Sequence, residues 1–230
     1  IFQKKFKFSS FSLHTKIVVL TTVILLIFGT FLIFLFESSN INVENYTITE
    51  RVASSFFQSA SARTAGFNTI NISSMTLASQ FLLISLMFIG ASPGSTGGGI
   101  KTTTFATAFL LIRSVLKGQE EINVFKKTLP EDFLKRAFVI MLLSFGTVVV
   151  TTTLLCITEP FEFMPILFES MSAFGTVGLT LGITPSLSTT GKFIIILTMF
   201  TGRVGPLTLF FALSKKTKKT GYNYPEETIM

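Results

Sequence analysis

One short pattern occurs twice, in register, between apolar stretches long enough to cross a bilayer. The first copy reads Thr64-Ala65-Gly66-Phe67 and the second Thr176-Val177-Gly178-Leu179, at an offset of 112 positions. With that offset and no gap, Phe56 falls on Phe168, Ile84 on Ile196, Met87 on Met199, Phe88 on Phe200 and Gly90 on Gly202. Matches held in register this long mark a duplicated structural unit. The shift keeps the order of segments, so the two units run parallel. Each pattern follows a stretch too short to cross a bilayer and precedes one that can cross it. The order span, half-span, Gly-centred loop, span is one by which a membrane protein sets backbone carbonyls around a dehydrated cation.

Composition places the chain in the membrane. Charged residues make up 13% of its 230 residues, against about 25% in a typical soluble domain, and it carries 27 Phe and no Trp. Mean hydropathy is +0.63. Cys156 is the only cysteine, so no disulfide can form within the chain, and it reads as a small packed or lipid-facing side chain.

The net charge of +7 is distributed as membrane topology and gives no nucleic-acid footprint. Basic residues cluster at Lys4, Lys5, Lys7 and Lys16, at Arg113, Lys117, Lys126, Lys127, Lys135 and Arg136, and at Lys215, Lys216, Lys218 and Lys219. Excess Lys and Arg marks cytoplasmic loops, which puts all three clusters inside. The segments implied to be outside hold Arg51, Arg63 and Lys192 against Glu37, Glu44, Glu50, Glu159, Glu162 and Glu169.

The predicted elements follow that parity. Ile17 to Phe36 is a first outward span of about 20 residues, too long for a signal-peptide core. Ile1 is not a natural start residue, so the chain is expected to be cut from a longer one. Val52 to Ala62 is a short helix, Thr64 to Thr69 a loop, and Ser73 to Ile89 an inward membrane segment that stops at the Gly-rich stretch Gly90 to Gly99. Apolar character resumes from Phe105 to Leu116. Glu120 to Arg136 is a charged inner connector and Ala137 to Ile157 the next outward span. Pro165 to Phe174 is a second short helix, Gly175 to Gly182 a second loop, and Lys192 to Leu213 the return span. Domain boundaries are expected at 1–118 for the first repeat, with a gating loop at 90–104, then 119–136 for the connector, 137–213 for the second repeat and 214–230 for a basic tail.

Carbonyls that replace a cation's water must all point one way, and glycine accepts the dihedrals this needs. Gly66 and Gly178 are therefore the residues on which a filter geometry would depend. The half-helices before them would aim their negative C-terminal ends at the pore centre. The Gly90 to Gly99 stretch, with Pro93, cannot continue as a helix. Irregular backbone at membrane depth needs burial in protein or a water cavity, so it reads either as a gate below the filter or as a packed kink. Its likeness to a phosphate-binding loop fails, because Ile100 separates Gly99 from Lys101 and a membrane segment precedes it. Arg203 lies mid-span, at a cost of roughly 2.5–3.5 kcal/mol, and is expected to face inward and bond backbone carbonyls of the broken segment. Lys101 reads as either a gate contact or a snorkelling side chain, and His14 as a surface residue. Asn45-Tyr46-Thr47 and Asn71-Ile72-Ser73 match the short glycosylation pattern without further support.

The stretch Arg63 to Thr69, "GASPGSTGGGIKTTT" from Gly90 to Thr104, "FGTVGLTLG" from Phe174 to Gly182 and "GRVGPLT" from Gly202 to Thr208 resemble the Trk/Ktr/HKT superfamily of potassium transporters, nearest its bacterial Ktr-type membrane subunits. The resemblance implies an all-α integral membrane fold with two parallel span–pore-helix–filter-loop–span repeats, the third and fourth of four. Potassium would be the substrate, held by backbone carbonyls of Thr64, Ala65, Gly66, Phe67, Thr176, Val177, Gly178 and Leu179, with no covalent cofactor and with sodium as a candidate activator. Gly94, Gly97, Gly98, Gly99, Lys101 and Arg203 would form the gate. Glycine at both loop centres favours potassium over sodium, since a serine at the first-repeat position accompanies sodium preference in this superfamily. The implied partners are membrane lipid, the missing N-terminal half of the subunit, a second copy in a homodimer, and a cytoplasmic nucleotide-binding regulatory subunit of the KtrA type. The implied location is the bacterial plasma membrane, crossed several times. Two copies pairing to supply four loops, a non-conducting half-transporter scaffold and a sodium-permeable transporter are the alternatives. No Ser/His, Cys/His or carboxylate pair falls in the membrane segments, so an enzyme is not expected.

Overall fold

A computed structural model describes residues 11–40, 46–118, 122–125 and 127–208. The first basic cluster apart from Lys16, the last basic cluster, Lys126, Asn45 and the expected tail all lie outside these residues. Helix α1 spans Leu13–Phe36 and α5 spans Glu131–Thr158, and both are long and apolar enough to cross a membrane. Helix α2 (Ile48–Ser61) has 14 residues, about 21 Å at the helical rise, and so cannot cross. Its start is fixed by a capping box in which Thr47 Oγ1 accepts the Glu50 N–H at 3.3 Å and Glu50 Oε2 accepts the Thr47 N–H at 2.8 Å. It packs on α1 through small residues: Ser59 donates to the Leu26 carbonyl at 3.2 Å beside Gly29.

The duplication is carried into three dimensions. A 3₁₀ turn at Ile72–Ser74 precedes α3 (Leu77–Phe88), and one at Thr184–Ser186 precedes α7 (Thr189–Val204). Both pairs of starts keep the 112-residue offset. The same clamp opens each helix. The Glu37 carboxylate, at the end of α1, accepts the Thr76 N–H and hydroxyl, each at 3.0 Å. The Glu159 carboxylate, at the end of α5, accepts the Ser188 N–H at 3.1 Å and the Ser188 hydroxyl. Both carboxylates are buried. Burial of a carboxylate demands such partners, and here the partners join the outer ends of the two spans of each repeat.

Between α3 and α4 (Thr102–Leu116) the chain leaves helix for a loop pinched at its neck. The Ile100 N–H donates to the Phe88 carbonyl at 3.1 Å and the Thr102 N–H to Ala91 at 3.4 Å. Helix α6 (Phe163–Gly175) is the second short helix. Its Phe168 and Phe174, fully buried, pack with Leu83 and Met87 of α3, so the two repeats share one core.

Two expectations need correction. The charged connector does not run as far as Arg136. It holds a two-residue hairpin, β1 (Asn123–Val124) against β2 (Lys127–Thr128), and α5 already begins at Glu131. Pro130 fixes the entry, and Glu131 and Asp132 suit a helix N-terminus. The return span is interrupted within its described part: α7 ends at Val204, where Gly205 turns to φ +90° and Pro206 cannot donate to the helix ladder, while residues 209–213 of the expected span lie outside the described residues. Phe125 at the hairpin turn receives Lys16 Nζ over its ring at 5.7 Å, which sets the inner end of α1 beside the connector. That contact agrees with the parity read from charge.

Candidate functional site

Each T-x-G turn is built at the C-terminal end of a short helix. The Ala65 and Gly66 N–H groups both donate to the Ser61 carbonyl, at 3.1 and 3.3 Å. In the second copy the Thr176 N–H reaches Ala173, the Val177 N–H reaches the Ser172 carbonyl at 2.9 Å, and the Gly178 N–H reaches the Ser172 hydroxyl at 3.2 Å. The amides thus turn back to the helix ends. Among the described residues, the carbonyls of Thr64, Ala65, Gly66, Thr176, Val177, Gly178 and Leu179 accept no hydrogen bond. Unpaired carbonyls in succession are unusual in a packed region.

The backbone is unusual in the same way in both copies. Thr64 and Thr176 sit at φ 70° and 50°, and Gly66 and Gly178 at φ 77° and 92°, with negative φ at Ala65 and Val177 between them. In an extended strand successive carbonyls alternate sides, and switching handedness at every second residue removes that alternation. A β-branched residue at positive φ is a genuine outlier that costs about 1–3 kcal/mol and persists only where its surroundings enforce it. Both repeats hold this strain at the same position.

The two turns face each other. A methyl group built on Gly66 would collide with the Val177 carbonyl oxygen and lie 3.5 Å from the Gly178 Cα. Only glycine allows this approach. This contact brings Gly66 together with Val177 and Gly178. Phe67 departs from the expectation: its carbonyl accepts the Ser61 hydroxyl and is turned back toward α2, and its ring is exposed. Leu179 is buried, with its carbonyl free among the described residues.

The glycine-rich loop lies directly against both turns. The Gly98 N–H donates to Thr176 Oγ1 at 2.8 Å. A Cβ on Gly97 would meet Thr64 Cγ2 at 3.1 Å, and one on Gly98 would meet Thr176 Cγ2 at 2.8 Å. Lys101 Nζ donates to the Gly97 carbonyl at 2.6 Å, so it contacts the loop rather than snorkelling. Gly99 takes φ 71° at the neck, and Gly94, at φ 81°, lies at the exposed tip with open space around it. Arg203 is not where the sequence placed it. Its side chain is exposed and makes no hydrogen bond among the described residues. Lys101 already takes the loop carbonyl.

Sequence reasoning missed Ser61 and Ser172, which hold the turns, and Glu169 on α6. The signals were a serine three or four positions before each T-x-G and a lone carboxylate inside a predicted half-helix.

A family model described as cation transport protein, TrkH, matches residues 2–222. The Ktr system potassium uptake protein B of Vibrio alginolyticus is 41% identical over 219 residues, covering 95% of this chain and 48% of that protein. The potassium/sodium uptake protein NtpJ of Enterococcus hirae is 38% identical over 225 residues, 95% of this chain and 50% of that one. The fold is similar to the crystal structure of the potassium transporter TrkH from Vibrio parahaemolyticus, with a TM-score of 0.71 and 21% identity, over 87% of this chain and 44% of that one. The chain spans about half the length of the curated relatives it matches.

Proposed function

This chain belongs to the TrkH family of cation transport proteins, and we propose that it forms two quarters of a potassium uptake pore whose filter is made of backbone carbonyls. The observation that carries this reading is the pair of facing turns with unbonded carbonyls around Gly66, Val177 and Gly178. Oxygen dipoles so arranged replace the water shell of an entering cation, and the C-terminal ends of α2 and α6 add negative potential there. Two further loops, from the remainder of a longer subunit, complete the ring. The relatives are transporters, and this is not an enzyme.

The Gly90 to Gly99 loop, seated against Thr64 and Thr176 and tied by Lys101, acts as the gate, with Arg203 exposed nearby. The complete subunit sits in a bacterial plasma membrane, surrounded by lipid. It works as a homodimer with a cytoplasmic nucleotide-binding subunit of the KtrA type, and sodium acts as an activator. The name of the Vibrio alginolyticus relative, protein B of a Ktr system, supports the presence of a further component. The name of the Enterococcus hirae relative supports a second reading in which sodium also permeates.

Growth of an uptake-deficient bacterium on low potassium tests the proposal. Gly66→Ser or Gly178→Ser in the complete subunit weakens rescue and alters competition by sodium. Rescue and competition equal to wild type would remove the filter assignment, and absence of flux in any background would favour a non-conducting scaffold.

A further inference from the structure

Helix α6 buries a carboxylate for which the filter reading has no use. Glu169 is 5% exposed. Its Oε2 accepts the Thr180 hydroxyl at 2.8 Å and its Oε1 the Thr184 hydroxyl at 2.6 Å. The two hydroxyl oxygens lie 2.8 Å apart, and Thr180 Oγ1 also accepts the Gly182 N–H at 2.9 Å. Thr180 directly follows Leu179. The second loop is therefore pinned at both ends by α6: Ser172 holds the Gly178 amide and Glu169 holds the outer limb from Thr180 to Thr184.

The first repeat does this differently. The position 112 residues before Glu169 is Phe57, half exposed and without any polar atom. There the loop is secured by Ser61 on the Phe67 carbonyl and by Asn68 Nδ2 on the Ile70 carbonyl at 3.0 Å. A carboxylate taken out of water inside a membrane helix is costly unless fully partnered, and such residues mark function by default. Simple packing would be served by an apolar side chain.

We propose that Glu169 is a positioning residue for ion selection. Through Thr180 and Thr184 it fixes the outer half of the second loop, and with it the spacing of the Val177, Gly178 and Leu179 carbonyls. A loop held at both ends cannot close around a smaller cation. This rests on the filter reading given above.

The test is competition between potassium and sodium for rubidium uptake by the complete transporter in proteoliposomes, read as a preference ratio that does not depend on the amount of folded protein. Glu169→Gln and Thr180→Val each lower the preference about tenfold, as loss of a hydrogen bond to a charged group allows. The double variant is no worse than either single, because both break one network, while Thr180→Ser keeps the hydroxyl and the wild-type ratio. If Glu169→Gln does not fold, Thr180→Val against Thr180→Ser decides. Equal preference in these variants and wild type, alongside a lowered preference in Gly178→Ser, would overturn the role of Glu169 alone. A fall in uptake of both cations at constant ratio would overturn it too, leaving only a structural part. An unchanged ratio in Gly178→Ser would remove the filter reading, and this inference with it.

Discussion

The Gly98 N–H donates to the Thr176 hydroxyl across 2.8 Å, so a residue of the glycine-rich loop is bonded to a residue of the second T-x-G turn. The glycine-rich loop and the second turn thus share an atom pair. Breaking it shifts the loop away from the turn without touching a carbonyl. A neutral hydrogen bond contributes about 0.5–1.5 kcal/mol, a change of about 2- to 12-fold in a two-state population. Thr176→Val is expected to raise basal rubidium flux by that factor, and Thr176→Ser to leave it unchanged. Equal flux in both variants would mean that the bond does not restrain the loop.

Close packing at the same contact leads to a second expectation. A methyl group at Gly98 would come within 2.8 Å of Thr176 Cγ2 and 3.0 Å of the Phe174 carbonyl. Overpacking of this kind costs about 1–3 kcal/mol, here charged wholly to the seated loop. Gly98→Ala is expected to raise flux about tenfold, as is deletion of Gly97 to Gly99. A methyl group at Gly94, which has open space around it, meets no atom and acts only through its φ of +81°, so Gly94→Asn is expected to leave flux near wild type. Unaltered flux in Gly98→Ala would make the loop a passive kink.

The buried carboxylate clamps are structural, and their loss is expected to appear as stability. Removing Glu159 takes away the buried carboxylate that accepts the Ser188 N–H at the start of α7, a loss of about 1.5–3 kcal/mol for a bond to a charged group. Glu159→Ala should lower the thermal midpoint of the solubilised protein more than Glu159→Gln. Gly191→Ala should do the same, since its methyl group would press on the Glu159 carboxyl carbon at 2.8 Å. The matching pair is Glu37 and Thr76, and Thr76→Val is expected to weaken the first repeat likewise.

At the outer end of α2, the Thr47 backbone N–H, and then its hydroxyl, hold the Glu50 carboxyl below the usual glutamate value. A depressed folded value means that its contribution is complete above the unfolded pKa and is lost as pH falls through the folded one. A carboxyl-selective NMR titration is expected to place Glu50 below other exposed glutamates, and to return it to their range in Thr47→Ala. A Glu50 midpoint unaffected by Thr47→Ala would contradict the capping box.

Much of the fold was legible because the chain states it twice. The offset that joins Thr64 to Thr176 also joins the caps Thr76 and Ser188 and the starts of α3 and α7. Glycines and Pro93 announced the break after α3, because their backbone preferences act locally. What escaped depended on neighbours far along the chain. Phe67 was read with its carbonyl unbonded, but the Ser61 hydroxyl donates to it. Arg203 looked bound to the broken segment, but Lys101 occupies the carbonyl there. The start of α5 was hidden because Glu131 to Arg136 is charged and helical at once, and charge was read as connector. Glu169 was counted as an outer loop charge, although its place in the predicted half-helix marked it as buried.

Locating the ion itself tests the account most directly. Anomalous diffraction from rubidium or thallium soaked into crystals of the complete transporter is expected to show a peak between the two turns, within coordination distance of the Gly66, Val177 and Gly178 carbonyls, and a weakened peak in Gly178→Ser. A well-ordered site elsewhere, with no density between Gly66 and Gly178, would contradict it.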